Sequence, residues 1–355
     1  MPPANPLEPL PSPSPPVSCT TIPITGLLVD IHGLSELSPS ATRISCLWLH
    51  HPRSRRKEDM SHFARRAVSS YNSSPHHHSS SRGLIVLSFD QRNHGSRLVD
   101  DRANGAWREG NERHAQDMFG VIAGTVSDQE RLIDAVGGYL FHDEGERRRE
   151  IDRHLVLGVS LGGHSVWQTM FLDPRVVAGV VVIGCPDFEY LMRDRARLSK
   201  LATYSAEDQG ASFAGSRDFP PALVEACKKL DPKGILFGTS AVPAPGATSE
   251  AEQRRLRAVL DERVKGKKFL VCSGGDDKLV PYRCSQPFID WFKDAARTWY
   301  ADGDVYVEDK VYAGVGHAFS SEMVEDAVRF VVNVAGGEAS VERRSSDGDH
   351  KVSKI

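Results

Sequence analysis

One short run concentrates the residue types of nucleophilic chemistry: Gly158-Val159-Ser160-Leu161-Gly162-Gly163-His164. It follows the apolar Leu155-Val156-Leu157 and precedes a helical pattern. A strand, a tight turn and a helix in that order hold a serine at a strained backbone angle with its hydroxyl exposed. Glycines at 158 and 162 fit, because side chains there would crowd the neighbouring strand and helix. A phosphate loop also sits between strand and helix, but no Gly-Lys-Ser/Thr occurs here.

A serine hydroxyl is a poor nucleophile until a base takes its proton, and histidine is the usual base because it titrates near neutrality. Of the fourteen histidines, His317 in Gly314-Val315-Gly316-His317-Ala318-Phe319 is placed best, after the last strand pattern and before the last helix. An imidazole base needs a carboxylate to fix its tautomer. Ser273-Gly274-Gly275-Asp276-Asp277-Lys278-Leu279-Val280-Pro281 offers two; the spacing Asp277-x-x-Val280-Pro281 favours Asp277, with Asp276 as the alternative acid. The chain order Ser160, Asp277, His317 goes with a serine elbow on an α/β sheet.

The elements that must position these groups follow from periodicity. Apolar runs predict strands over 25–31, 44–50, 84–89, 155–159, 177–183, 268–272 and 305–312, several apolar on both faces as strands under two helix layers must be. Amphipathic stretches predict helices over 57–70, 112–141, 163–172, 285–299 and 320–334. From 186 to 267 the alternation lapses into helical stretches and Gly/Pro/Ser loops, read as a helical cap inserted over the sheet. Eight of the prolines fall in residues 1–16, so residues 1–22 read as a disordered Pro-rich arm, and 336–355, polar and mixed in charge, as a disordered tail. The core is then 23–185 with 268–335.

These features resemble an α/β-hydrolase-fold serine hydrolase, from about Thr25 to Val334. The loop Asp90-Gln91-Arg92-Asn93-His94-Gly95-Ser96-Arg97 is similar to one in esterase and prolyl-oligopeptidase-like branches, and the stretches 88–97, 111–118 and 158–168 look like uncharacterised fungal α/β hydrolases. The resemblance implies a mostly parallel sheet flanked by helices, and cleavage of a carboxylic ester or thioester through an acyl-enzyme, with no cofactor. It also implies two backbone donors for the oxyanion. Leu161 N–H is one. The other usually comes from a His-Gly loop after the third strand, where this chain has His50-His51-Pro52-Arg53. Proline has no N–H, so Arg53 N–H becomes the donor, unless the register puts Pro52 there. Ile31-His32-Gly33 offers a His-Gly pair one strand too early. A prolyl-oligopeptidase-like peptidase, an acyltransferase with the same triad, and a non-catalytic binding protein on this fold are the alternatives. Ser160 argues against haloalkane dehalogenase or epoxide hydrolase chemistry, which needs a carboxylate at the elbow.

Other residues have plainer readings. Asp90, Arg92 and Arg97 brace their loop rather than bind a substrate carboxylate, His94 is a structural histidine, and Trp107 and Trp167 are core. Glu112, His114 and Asp117 sit at a helix start. His76, His77 and His78 lie in a Ser-rich loop and do not read as a metal site; no HExxH or EF-hand spacing occurs. Six scattered cysteines and no export signal fit free thiols in a reducing, cytoplasmic setting. No run is long enough to span a membrane. Forty-four Lys+Arg against forty-seven Asp+Glu leave −3, which excludes a global pull toward nucleic acid and fits a small, largely uncharged acyl substrate.

Overall fold

A computed structural model describes residues 6–7, 16–75, 81–142 and 149–337. Its strands are β1 (Cys19–Ile24), β2 (Leu27–His32), β3 (Arg43–His50), β4 (Arg82–Phe89), β5 (Glu150–Val159), β6 (Val176–Val182), β7 (Lys268–Gly274) and β8 (Tyr306–Tyr312). Its α-helices among the described residues are α1 (Ser61–Asn72), α2 (His114–Phe141), α3 (Leu161–Leu172), α4 (Phe188–Leu198), α5 (Pro221–Leu230), α6 (Pro232–Phe237), α7 (Glu250–Arg263), α8 (Tyr282–Arg297) and α9 (Ser321–Gly336).

Strand alternation builds the layers. Along β3, Ile44, Cys46 and Trp48 enter an apolar cluster on one face of the sheet, while Leu47 and Leu49 enter another on the opposite face. Along β7, Phe269 and Val271 go one way, Leu270 and Cys272 the other. The first cluster is closed by Leu132 of α2, Trp167 of α3 and Phe288, Trp291 and Phe292 of α8; the second by Phe63 and Val68 of α1 and Phe330 and Val331 of α9. Each such side chain contributes about 1.5–3 kcal/mol when fully buried, and a strand apolar on both sides has no alternative to helices on each face.

The eight strands run in the order β1-β2-β4-β3-β5-β6-β7-β8. β1 and β2 are antiparallel to their neighbours; from β4 to β8 all pairs are parallel. Five carboxyl ends, those of β3 to β7, and that of β8 therefore share one edge of the sheet.

The structure moves several expected boundaries. The arm expected through residue 22 stops earlier, because Cys19–Ile24 pair with β2. This edge strand is mostly exposed, so it has no buried face to write an apolar pattern; the ladder and a 2.6 Å hydrogen bond from Thr21 Oγ1 to Asp30 hold it. Pro6 and Leu7 also lie against the body, with Phe319 N–H donating to the Pro6 carbonyl at 2.6 Å. β5 begins at Glu150, ahead of its apolar part, since Asp152 binds Arg43 of the adjacent β3 and Arg82 of β4 beyond it. α9 runs to Gly336, and Gly337 ends it at φ 96°, a left-handed cap that glycine adopts without strain. The expected tail beyond 337 and the three histidines at 76–78 lie outside the described residues.

Within 186–267 the helices pack in two places. Phe188, Leu191, Met192, Phe213, Phe219 and Leu223 form a third apolar cluster with Met118, Phe119 and Leu161. Leu256 and Leu260 of α7 instead join the first cluster beside the sheet. The earlier part of the segment is thus the one that stands over the strand ends. The six cysteines are free thiols, five of them buried. No helix among the described residues is long and apolar enough to cross a membrane.

Candidate active site

Ser160 sits between β5 and α3 with φ 56° and ψ −111°, a left-handed conformation that a residue with a Cβ adopts only under constraint. Its N–H donates to the Val182 carbonyl at 2.9 Å, tying the turn to the end of β6. The glycines make the turn possible. A Cβ at Gly158 would overlap the Gly162 carbonyl, one at Gly162 the His50 carbonyl, and one at Gly163 the end of β6. The helix α3 is therefore pressed onto three strands, and only Ser160 projects outward.

Two other loops converge on it. His317 Nε2 lies 2.8 Å from Ser160 Oγ, and His317 Nδ1 lies 2.8 Å from Asp277 Oδ2. The other oxygen of Asp277 accepts from Leu279 N–H at 2.8 Å and Val280 N–H at 3.0 Å. The Asp277 side chain is fully buried. Burial works to raise its pKa, but the hydrogen bond and charge of His317 and the two backbone donors outweigh it, so the carboxyl is held below its ordinary value. Asp276, the alternative acid, is exposed and binds by its backbone N–H to the Val315 carbonyl, 2.9 Å, so its side chain does not serve His317. That bond and one from Gly275 N–H to Tyr312 O (2.8 Å) lock the loop carrying the acid to the loop carrying the histidine. A Cβ at Gly274 would overlap the Val315 and Gly316 carbonyls, so this glycine sets how closely the two loops approach.

A cavity of about 150 Å³ opens at Ser160, walled by Pro52, Arg53, Trp107, Leu161, Arg195 and Leu279 among others. It is small against the roughly 300–1,000 Å³ of sites for drug-sized ligands. Pro52 and Arg53 reach it because the preceding His51 turns inward: His51 Nε2 accepts from Gln91 N–H at 3.0 Å, and the ring is fully buried. Arg53 N–H makes no hydrogen bond within the described residues. Leu161 opens α3, where an N–H has no carbonyl one turn back to bind. The other His-Gly pair is far off: β2 is antiparallel to the site strands, so His32-Gly33 emerges at the opposite edge.

Burial keeps the surrounding imidazoles neutral. It lowers His164 to about 3, His51 to about 3 and His50 to about 4. His164 Nδ1 accepts from Cys185 N–H at 2.9 Å, which steadies α3 behind Ser160. Asp90, Arg92 and Arg97 close on protein groups. Asp90 accepts from Lys57 N–H (2.9 Å), Ser96 N–H (2.8 Å) and Ser96 Oγ (2.7 Å), and both arginines reach Asp128. Among the described residues no group of three His, Cys, Asp or Glu side chains is placed to hold a metal ion.

Arg195 escaped the sequence reading, and two other wall residues have a different place from the one expected: His114 is more than a helix-start residue, and Trp107, expected in the core, stands at the cavity. Trp107 is half-buried at the cavity, edge-on to His114 with ring centroids 5.0 Å apart. His114 Nε2 accepts from Arg195 Nη1 at 3.2 Å. A signal for Arg195 existed: it falls one turn from Leu191 and Met192, on the apolar face of α4, where a solvated arginine is out of place.

A family model described as the alpha/beta hydrolase family matches residues 44–333. Among solved structures, the Thermus thermophilus protein TT1662 is similar at a TM-score of 0.51 and 16% identity, over 91% of this chain and 99% of that one. A Mycobacterium tuberculosis puromycin-hydrolyzing peptidase is similar at 0.51 and 12%, over 92% of this chain but 40% of the peptidase. At such identities the likeness is one of fold. No curated protein matches the chain.

Proposed function

The chain belongs to the alpha/beta hydrolase family, and from that premise we propose that it is a serine hydrolase that cleaves a small carboxylic ester or thioester through an acyl-enzyme. The observation that carries this reading is the unbroken chain Ser160 Oγ, His317 Nε2, His317 Nδ1, Asp277 Oδ2, with 2.8 Å at both hydrogen bonds.

His317 takes the Ser160 proton as the oxygen attacks the acyl carbon, then delivers it to the departing alcohol or thiol. Asp277 keeps Nδ1 protonated and offsets the imidazolium charge. The carbonyl oxygen, now anionic, lies at the start of α3, where Leu161 N–H and the helix dipole favour negative charge. Arg53 N–H supplies the second bond, each such donor being worth about 3–4 kcal/mol in the transition state. Water, activated by His317, then releases the acid. The small cavity favours a short acyl compound over a polypeptide.

A fluorophosphonate probe tests the reading. Labelling of the wild type and its loss in Ser160→Ala is the expected result. A folded wild type that resists the probe, and cleaves no ester of a graded p-nitrophenyl series, leaves the fold as a binding scaffold instead.

A further inference from the structure

The overall charge of −3 conceals a local excess. Among the described residues that line the cavity at Ser160, Arg53, Arg108, Arg195 and Lys278 are cationic and none is Asp or Glu. Arg108 and Lys278 are exposed and solvated; Arg53 and Arg195 are half-buried. Both of the latter are held by neutral acceptors. Arg53 Nη1 donates to the Asn104 carbonyl at 2.7 Å. Arg195 donates from Nη1 to His114 Nε2 and Met118 Sδ, both 3.2 Å, and from Nη2 to the Leu279 carbonyl at 3.1 Å. Neither forms an ion pair among the described residues.

Among the described residues, Arg153 of β5 is likewise held only by carbonyls, those of Val334 and Ala335, but other arginines are paired. Arg82, Arg97 and Arg175 each meet a carboxylate. A half-buried guanidinium with neutral acceptors and no carboxylate in hydrogen-bond reach has lost hydration that the more distant charges of Asp277 (on Arg195) and Glu109 (on Arg53) do not fully offset, so a bound anion is worth more to it than to a solvated cation. His114 cannot supply or oppose charge, because burial foremost, then Arg195 and Arg53, keep it neutral. Arg195 is itself lowered by burial and by Arg53, to about 10, and so remains cationic at neutral pH. Among the described residues, the Nε–H of Arg195 and that of Arg53 take no part in a hydrogen bond. The same cavity carries apolar wall from Trp107, Met118, Leu161 and Leu279.

We propose that Arg53 and Arg195 bind an anionic end of the acyl substrate, so that this site takes esters or thioesters carrying a carboxylate or phosphate-type group a short apolar span from the scissile carbonyl. The inference rests on the serine hydrolase reading for the word substrate, but the anion site stands or falls by itself. It also replaces the uncharged substrate that net charge alone implied.

Binding to the Ser160→Ala variant tests it without turnover. Calorimetry would compare monomethyl adipate with methyl hexanoate, and 4-acetoxybutanoate with butyl acetate, which place the anion on the acyl and leaving sides in turn. In at least one pair the charged member binds about 10-fold or more tighter, the range of a hydrogen bond to a charged group. Arg195→Gln in that background removes the difference and Arg195→Glu inverts it, with far-ultraviolet circular dichroism confirming the fold. Methyl 6-phosphonohexanoate separates the sources: tighter binding than the adipate assigns a phosphate-type anion, weaker binding a carboxylate. Equal or weaker binding of the charged member in both pairs, or a preference that survives Arg195→Gln, overturns the inference. Ester cleavage by the wild type with no preference for charge would sink the anion site and leave the hydrolase standing. Charge-selective binding with no fluorophosphonate labelling would do the reverse.

Discussion

Arginine stands at the carboxyl edge of the sheet in two settings. After β4, Arg92 and Arg97 both meet Asp128, at 3.0 and 2.8 Å, while the neighbouring Asp90 is filled by three donors. Beside Ser160, Arg53 and Arg195 meet only neutral acceptors. The first set is closed: both arginines share the Asp128 carboxylate, Asp90 is filled by neutral donors, and the loop is a brace. The second is hydrogen-bonded but not charge-paired, which is the feature that the proposed anion site rests on. The sequence of the first loop looks more like a ligand site than that of the second, so residue type does not separate brace from site. Pairing does.

If the comparison holds, substitutions at the site cost activity and spare stability, and those in the brace do the opposite. The largest effect belongs to Ser160→Ala, which should lower kcat by about 10⁴–10⁶. Its urea-unfolding free energy should stay where it was, because alanine keeps the same strained backbone. Next, Asp277→Asn should lower kcat/KM by about 10⁴, since it offers His317 the wrong tautomer, whereas Asp276→Asn should leave esterase rates within about twofold, as an exposed carboxylate bonded to nothing reactive. The reverse pattern would reassign the acid.

Acid stability probes the closed parts of the molecule. His50, His51 and His164 are buried at about 4, 3 and 3, below the roughly 6.5 of an unfolded imidazole. The unfolded chain therefore binds more protons throughout that window. Stability is full above about pH 6.5 and falls toward pH 4, by up to about 1.4 kcal/mol per pH unit for each group. Urea midpoints measured from pH 7.5 to 4.5 should decline across that range; a flat profile would mean the rings are not sealed off.

Asp90→Asn should cost about 1.5–3 kcal/mol of stability, the worth of hydrogen bonds to a charged group, with kcat per folded molecule retained. Burial works to raise the Asp90 pKa, but the Lys57 and Ser96 donors overcome it and hold it low. The stabilisation is present above about pH 3.9 and lost as pH falls below, so the gap between variant and wild type should narrow in acid. The smallest effect is Arg92→Ala. One partner of that pair is 49% exposed, and about 0–1 kcal/mol is expected in thermal unfolding.

Much of the scaffold was legible because it obeys local rules. Apolar runs on both faces called for a sheet between helix layers, and strands of period two cannot be packed otherwise. The order of a serine elbow, an acid after one strand and a histidine after the next was enough to name three loops that meet, since parallel strands deliver their carboxyl ends to one edge. β1 was not legible, because an exposed edge strand is specified by its neighbour's free hydrogen bonds and not by its own hydrophobicity. The polar start of β5 escaped for a similar reason, its Asp152 being matched only in space to Arg43 and Arg82, 109 and 70 residues away along the chain.

The sequence by itself determined the layers, the elbow and the short list of groups that can move a proton, because those depend on period, on glycine and on the order of elements. Tertiary structure alone put Asp277 rather than Asp276 against His317, turned His51 inward so that Arg53 faces the cavity, and brought Arg195 from a distant helix with no ion pair to a described carboxylate. Those outcomes depend on which charges find partners across the fold, and electrostatic pairing acts over distances in space that chain position does not record.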